Sequence, residues 1–197
     1  MNATPSTPPG GLQALAIGAS AGGIDALMVI LASLPAETRV PIVVVLHLPA
    51  GHDSQLAEIF GARLPLQSCE AQPGEPLLPG HLYFAPADYH LLIEPDGTFS
   101  LSCEPPVHFS RPSIDLLFES GAEAFGERFA ALVLTGANED GARGLARVRE
   151  CGGLALVQDP AEAAHAAMPR AALVRAGADQ VLTLAELHDL LPKLICP

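Results

Sequence analysis

The chain has 197 residues, 49% hydrophobic and 16% charged, and its 22 acidic residues outnumber 10 basic ones for a net charge of −12. That length suits one domain with a sizeable core, and the acidity argues against a nucleic-acid surface or docking on an anionic membrane. Lys193 is the sole lysine, so no Walker A Gly-Lys pair exists and Schiff-base chemistry is confined to a residue near the C-terminus.

Residues 1–11 are rich in Pro, Thr and Ser and read as a disordered leader, with 12–197 as a single domain. LQALAIGA (12–19) is a short apolar run ending in small residues, a buried strand. GGIDALMVILASL (22–34) is apolar all round and reads as a buried helix stopped by Pro35. PIVVVLHL (41–48) is β-branched, as a central parallel strand is, and SQLAEIFGARL (54–64) is the next helix. The middle differs: LYFAP (82–86) and YHLLIEPDGTFSLSCE (89–104) are strand-like around Asp96-Gly97, a hairpin signal, which predicts an antiparallel insertion or sheet extension. After the Pro-rich segment 104–112, Ser113 is placed to cap a helix whose Ile114, Leu116, Leu117 and Phe118 face the core. Strand (128–136), helix (140–152), strand (153–158), helix (168–177), strand (180–184) and a final helix complete the alternation. The pattern predicts an α/β fold: a doubly wound, mostly parallel sheet with helices on both faces and a β-hairpin insertion.

In such sheets the site lies beyond the carboxyl ends of the strands. Gly18-Ala19-Ser20-Ala21-Gly22-Gly23 follows the first strand, His47 ends the second, and Asn138-Glu139-Asp140-Gly141 follows the strand over 128–136. A serine, a histidine and an acid at three strand ends are the set a Ser-His-Asp hydrolase requires. Ser20 sits in a G-x-S-x-G pattern between strand and helix, where the Ala21 amide is placed to meet an oxyanion. The rival reading of the same turn is a glycine-rich phosphate or nucleotide loop, although the G-x-G-x-x-G spacing is lacking. His52, His81, His90 and His108 compete with His47, and Glu139 competes with Asp140, which has its own rival role as an N-cap for the following helix. The histidine spacings match no zinc site, and the four cysteines (Cys69, Cys103, Cys151, Cys196) contain no C-x-x-C, so neither metal nor cofactor is expected and the thiols suit a cytoplasmic protein. Residues 1–10 lack the features of a secretory signal, and no apolar run reaches membrane-spanning length.

At these residues the sequence resembles the catalytic domain of the chemotaxis protein-glutamate methylesterase family, CheB. IGASAGG is similar to the family's G-x-S-T-G-G turn, VVLHLPAGH to its Q-H-M-P segment, and LLPGHLYFAPADYHL to P-G-x-x-Y-x-A-P. HFSRPSIDLLFES resembles R-P-S-V-D-x-L-F-x-S, LTGANEDGARGL resembles L-T-G-M-G-x-D-G-A-x-G, and VQDPAEAAHAAMPRAAL resembles the Q-D…M-P-x-x-A segment, in order from about residue 12 to 193. The resemblance implies Ser20 as nucleophile, His47 as general base and Asp140, ahead of Glu139, as the orienting acid. It implies hydrolysis of glutamate γ-methyl esters on methyl-accepting chemotaxis receptors, with receptor glutamine deamidation as a second activity. Amides of Ala21 and Ala137 are the candidate oxyanion donors. Arg111 is a candidate contact for acidic receptor residues, its alternative being a bond to nearby backbone. The chain departs from the pattern at Ala21, Leu46, Leu48, Ala137 and Asn138, which reshapes the expected pocket rim. Family members usually carry a receiver domain ahead of this one. Its absence from this sequence predicts activity independent of phosphorylation, with a receiver domain in another chain or a receptor methyltransferase as candidate partners. Two alternatives stay open: a catalytically weakened CheB-like regulatory or interaction domain, and a nucleotide-binding protein.

Overall fold

The apolar runs become strands because each is long enough to cross a sheet and apolar on both faces, as burial under helices on either side demands. The structure, a computed structural model, describes residues 10–47 and 55–196. In chain order the elements are β1 (Ala14–Ala19), α1 (Gly23–Leu31), β2 (Ile42–Leu46), α2 (Leu56–Gly61), β3 (Gln67–Glu70), β4 (His81–Phe84), β5 (His90–Ile93), β6 (Phe99–Ser102), α3 (Ile114–Phe125), β7 (Phe129–Val133), α4 (Ala142–Glu150), β8 (Leu154–Gln158), α5 (Ala167–Arg175), β9 (Gln180–Leu182) and α6 (Leu184–Ile195). Seven strands form one sheet in the order β3-β4-β2-β1-β7-β8-β9, every pairing parallel. β5 and β6 form a separate antiparallel hairpin across Asp96-Gly97.

The period-2 alternation of each strand divides the core in two. Leu15 and Ile17 of β1, with Ile42 and Val44 of β2, pack with Leu27, Ile30 and Leu31 of α1, Phe60 of α2 and Leu187 and Leu191 of α6. Ala14 and Ala16, with Val43, Val45 and Val133, pack with Ile114, Leu117 and Phe118 of α3, Leu145 of α4, Met168 of α5 and Phe99 of the hairpin. Each large aliphatic side chain buried this way contributes about 1.5–3 kcal/mol. The α3 face of β1 carries only small residues: Ala14, Ala16 and Gly18. A Cβ at position 18 would overlap Ile114 Cγ2, so Gly18 lets the start of α3 lie directly on the strand.

Three details differ from the pattern read along the chain. Residues 82–84 belong to the parallel sheet, between β3 and β2, and only 90–102 form the antiparallel unit. β3 was not anticipated: QSCE is polar, half-exposed edge sequence without apolar alternation. In α3 the buried positions are Ile114, Asp115, Leu117 and Phe118, with Leu116 half-buried, so a carboxylate takes the inward place expected for a leucine. Most of the 1–11 leader lies outside the described residues, as do Leu48, Pro49, Gly51, His52 and Ser54.

Candidate active site

Strands β2, β4 and β3 lie to one side of β1, whereas β7 to β9 lie to the other, so the topological switch falls between β1 and β7. Ser20 leaves the end of β1, His47 the end of β2 and Asp140 the loop after β7: three neighbouring strands. Ser20 and His47 lie one residue beyond the paired Ala19 and Leu46, on strands about 4.8 Å apart. The His47 amide donates to the Ala19 carbonyl at 3.1 Å. Together with Gly22, Gly23, Ile24, Asp25 and Leu46, they line an open cleft of about 390 Å³.

His47 and Asp140 are in direct contact, with Nε2 3.0 Å from Oδ2. An ionised carboxylate only accepts, so Nε2 carries the proton and Nδ1 keeps its lone pair. The hydroxyl of Ser110 lies 3.5 Å from that Nδ1. In the familiar serine-protease arrangement the acid holds Nδ1; here Asp140 meets Nε2. Asp140 is fully buried. Besides His47 it accepts from Ser113 Oγ (3.0 Å), the amides of Ile114 (2.7 Å) and Asp115 (3.0 Å), and its neighbour Gly141 (3.0 Å). Burial pushes its carboxyl up, but His47, the Asp115 and Ile114 amides and the histidine's charge together draw it below the ordinary carboxylate range.

Those amides are the unpaired N–H groups at the start of α3, so Asp140 does cap a helix, though not the one that follows it. α4 is capped instead by Asp115, whose Oδ1 accepts from Gly144 N at 2.7 Å. α3 thus lends Asp115 to the start of α4, and the loop before α4 lends Asp140 to the start of α3. The close approach depends on Gly144, where a Cβ would stand 2.7 Å from the Asp115 carbonyl oxygen. Ser113, expected to cap α3, turns its hydroxyl to Asp140 and makes no cap bond. Asp115 has the opposite electrostatics from Asp140. Burial, the largest influence, raises its carboxyl, and the Asp140 charge adds to this; the Gly144 amide, Arg143 and His108 oppose it without overcoming it. Its Oδ2 is buried without a hydrogen-bond partner among the described residues, with His108 Nε2 at 3.5 Å and Arg143 Nε at 3.6 Å.

The β1–α1 turn is built differently. Gly22, at φ 79°, starts α1 in the left-handed region, and Gly141, at φ 91°, starts α4 in the same way, so neither helix carries its own side-chain cap. Thr135, just past β7, holds the first turn: its carbonyl accepts from Ser20 N at 3.0 Å and its hydroxyl donates to Ala21 O at 2.8 Å. Gln158 Oε1 in turn accepts from Thr135 N at 2.8 Å. Ser20 Oγ has no hydrogen-bond partner among the described residues, and the Ala21 and Ala137 amides meet no acceptor there.

The other residues singled out from sequence have identifiable places. His90 is buried between Ser113 N, which donates to its Nδ1 at 3.1 Å, and Pro105 O, 3.2 Å from Nε2; both nitrogens are committed to backbone. His81 Nδ1 bonds Pro79 O. Glu139 is exposed and approaches His108, not His47. Arg111 donates to the carbonyls of Cys103 (3.0 Å) and Glu104 (3.2 Å), the backbone alternative kept open above. Carboxylates of Asp115 and Asp140 with His108 form a cluster of metal-ligand type. Asp140 already receives five donors and Asp115 Oδ1 a sixth, so these oxygens serve the capping network, and of the two carboxylates only Asp115 Oδ2 has no hydrogen bond among the described residues.

The fold is a doubly wound α/β sheet whose open cleft lies at the carboxyl ends of β1 and β2, beside the switch point. The model of the CheB methylesterase family matches residues 15–191, and the chain belongs to that family. A Leptospira interrogans serovar copenhageni protein is 45% identical over 182 residues, covering 92% of this chain and 94% of that one; its name provisionally assigns protein-glutamate methylesterase and protein-glutamine glutaminase activity. A Nocardioides protein named protein-glutamate methylesterase/protein-glutamine glutaminase is 40% identical across 93% of this chain, which spans 51% of its length. The crystal structure of the Thermotoga maritima CheB methylesterase catalytic domain superposes with a TM-score of 0.87 at 32% identity, over 93% of this chain and 97% of that one.

Proposed function

We propose that this chain hydrolyses glutamate γ-methyl esters on methyl-accepting chemotaxis receptors, and deamidates receptor glutamine, with Ser20 as nucleophile, His47 as general base and Asp140 as orienting acid. The observation that carries the roles is the His47–Asp140 contact at 3.0 Å beside Ser20, in a chain of this family. Ser20 Oγ attacks the γ-carbonyl while His47 Nδ1 takes its proton. Asp140 steadies the imidazolium through Nε2, and its low carboxyl range keeps it ionised while it does so. The Ala21 and Ala137 amides hold the tetrahedral oxyanion. The proton returns to the leaving oxygen and methanol departs. Water, activated by the same imidazole, then cleaves the acyl-enzyme to the free carboxylate and Ser20. No metal or cofactor takes part in this sequence.

The receptors are the partners this reading names, and a receptor methyltransferase or a receiver domain in another chain would act beside it. The site of action is cytoplasmic, in keeping with an enzyme that reaches receptors from inside; among the described residues no helix is long and apolar enough to cross a membrane. The test combines a serine-reactive fluorophosphonate with methanol release from methylated receptor. Wild type labels on Ser20 and releases methanol, whereas Ser20→Ala, His47→Ala and Asp140→Asn do not. Wild-type rates in all three variants would sink the triad.

A further inference from the structure

The turn that brings Ser110 to His47 has an unusual composition. Val107 and Ser110 form a two-residue hairpin closed by Val107 N to Ser110 O (3.0 Å) and Ser110 N to Val107 O (2.8 Å). Its central residues both have positive φ, His108 at 48° and Phe109 at 62°, the pattern of a type I′ turn that ordinarily selects Asn and Gly. A bulky aromatic in the left-handed region is strained. Phe109 is also 104% exposed, so its ring packs against nothing. Backbone strain and an uncovered aromatic ring therefore coincide at one residue, next to one that touches the proposed general base.

The two flanking residues anchor the turn that carries Phe109. His108 is drawn inward between Asp115 Oδ2 (3.5 Å) and Glu139 Oε1 (3.4 Å), and Ser110 faces His47. With both neighbours turned inward, Phe109 is presented at the rim. On the cleft's α1 wall, Ile24 is 40% exposed. Asp25 lines the cleft and Glu139 meets His108, and the chain as a whole carries a net charge of −12, so an acidic partner gains little from general electrostatic attraction. A γ-methyl ester is too small to reach the rim, and binding energy from parts of the substrate remote from the reacting bond must come from elsewhere.

We propose that Phe109 is a substrate-contacting residue that packs on apolar side chains flanking the modified glutamate of the substrate protein. This rests on the esterase reading above. The strain is then a cost of presenting an aromatic anchor without a glycine-softened turn.

The test uses two substrates, p-nitrophenyl acetate and the cytoplasmic fragment of a methyl-accepting chemotaxis receptor methylated with labelled methyl groups. Phe109→Asn is the informative variant, because Asn accepts the left-handed turn and folds at least as well as wild type by thermal denaturation. Its KM for the receptor fragment rises about tenfold to thirtyfold, the loss typical of an aromatic interface anchor, with kcat/KM for p-nitrophenyl acetate within about twofold. Phe109→Trp restores the low KM. An unchanged receptor KM in Phe109→Asn, or equal losses on both esters, overturns the proposal while leaving the esterase reading intact. A wild-type chain inert toward both esters overturns the two together.

Discussion

The two sides of the cleft are built to different standards of constraint. On the α3–α4 side, Asp140 is buried and receives five donors, and the two helices cap one another through Asp140 and Asp115. On the β1–α1 side, Ser20 stands on a glycine turn tied down through its backbone by Thr135, while its hydroxyl has no partner among the described residues. The difference teaches that Asp140's position is fixed as part of folding, so the catalytic role proposed for it is inseparable from its role in stability. Ser20, the proposed nucleophile, is tied down only through the backbone of its turn.

Mutations should separate the two sides. Ser20→Ala, the largest effect on rate, lowers methanol release about 10⁶-fold, to what oxyanion donors and binding alone supply. It shifts unfolding free energy by less than about 0.5 kcal/mol, since no bond is lost. Asp140→Asn lowers the rate about 10⁴-fold and also costs about 3 kcal/mol or more in urea denaturation, because its amide nitrogen must face donors such as Ile114 N–H. A variant that loses rate with wild-type stability would break the contrast. Gly18→Ala is next: the added Cβ overlaps Ile114 Cγ2 and pushes the start of α3 off β1. The expected cost is about 1–3 kcal/mol, with a rate loss approaching 100-fold from the displaced acid, measured on the same two assays.

The smallest effect sharpens the contrast within the capping pair. Asp140 is held low, so its stabilisation is complete above the ordinary carboxylate value near 3.9 and is lost as pH falls through its lower folded value. Asp115 is held high, so its contribution is complete below that ordinary value and is lost as pH rises through its raised one. Asp115→Asn keeps an oxygen for Gly144 N and removes the charge. Its urea midpoint should therefore fall less between pH 4.5 and pH 7 than that of wild type. A steeper fall would reverse the assignment.

Fold class was legible because strands buried on both faces leave apolar runs, and because the runs alternate with helical segments between Gly and Pro. The edge strand β3 left no such trace, and β4 was drawn into the antiparallel insertion by its nearness to the Asp96-Gly97 turn. The three strand-end residues stood out by chemistry and by position in the alternation. Asp115 did not, because an acid in the first turn of a helix normally reads as an exposed dipole partner, and nothing local announces that a second helix will bury it. That Asp140 meets Nε2 of His47 was likewise beyond reach, because ring orientation is a matter of tertiary packing that residue types do not encode. Thr135 and Gln158 are recognisable only as buried polar residues that must find partners.

The pairing of β1 with β7 has a consequence in time as well as in space. During synthesis Ser20 and His47 emerge long before Asp140, and the sheet segment that joins them, β1 beside β2, is complete without the acid. Until β7 docks on the open edge of β1, a closure across more than half the chain, the histidine has no carboxylate to fix its ring. A chain folded only as far as β1 and β2 would therefore hold Ser20 and His47 without the Asp140 contact on which the proposed esterase activity rests.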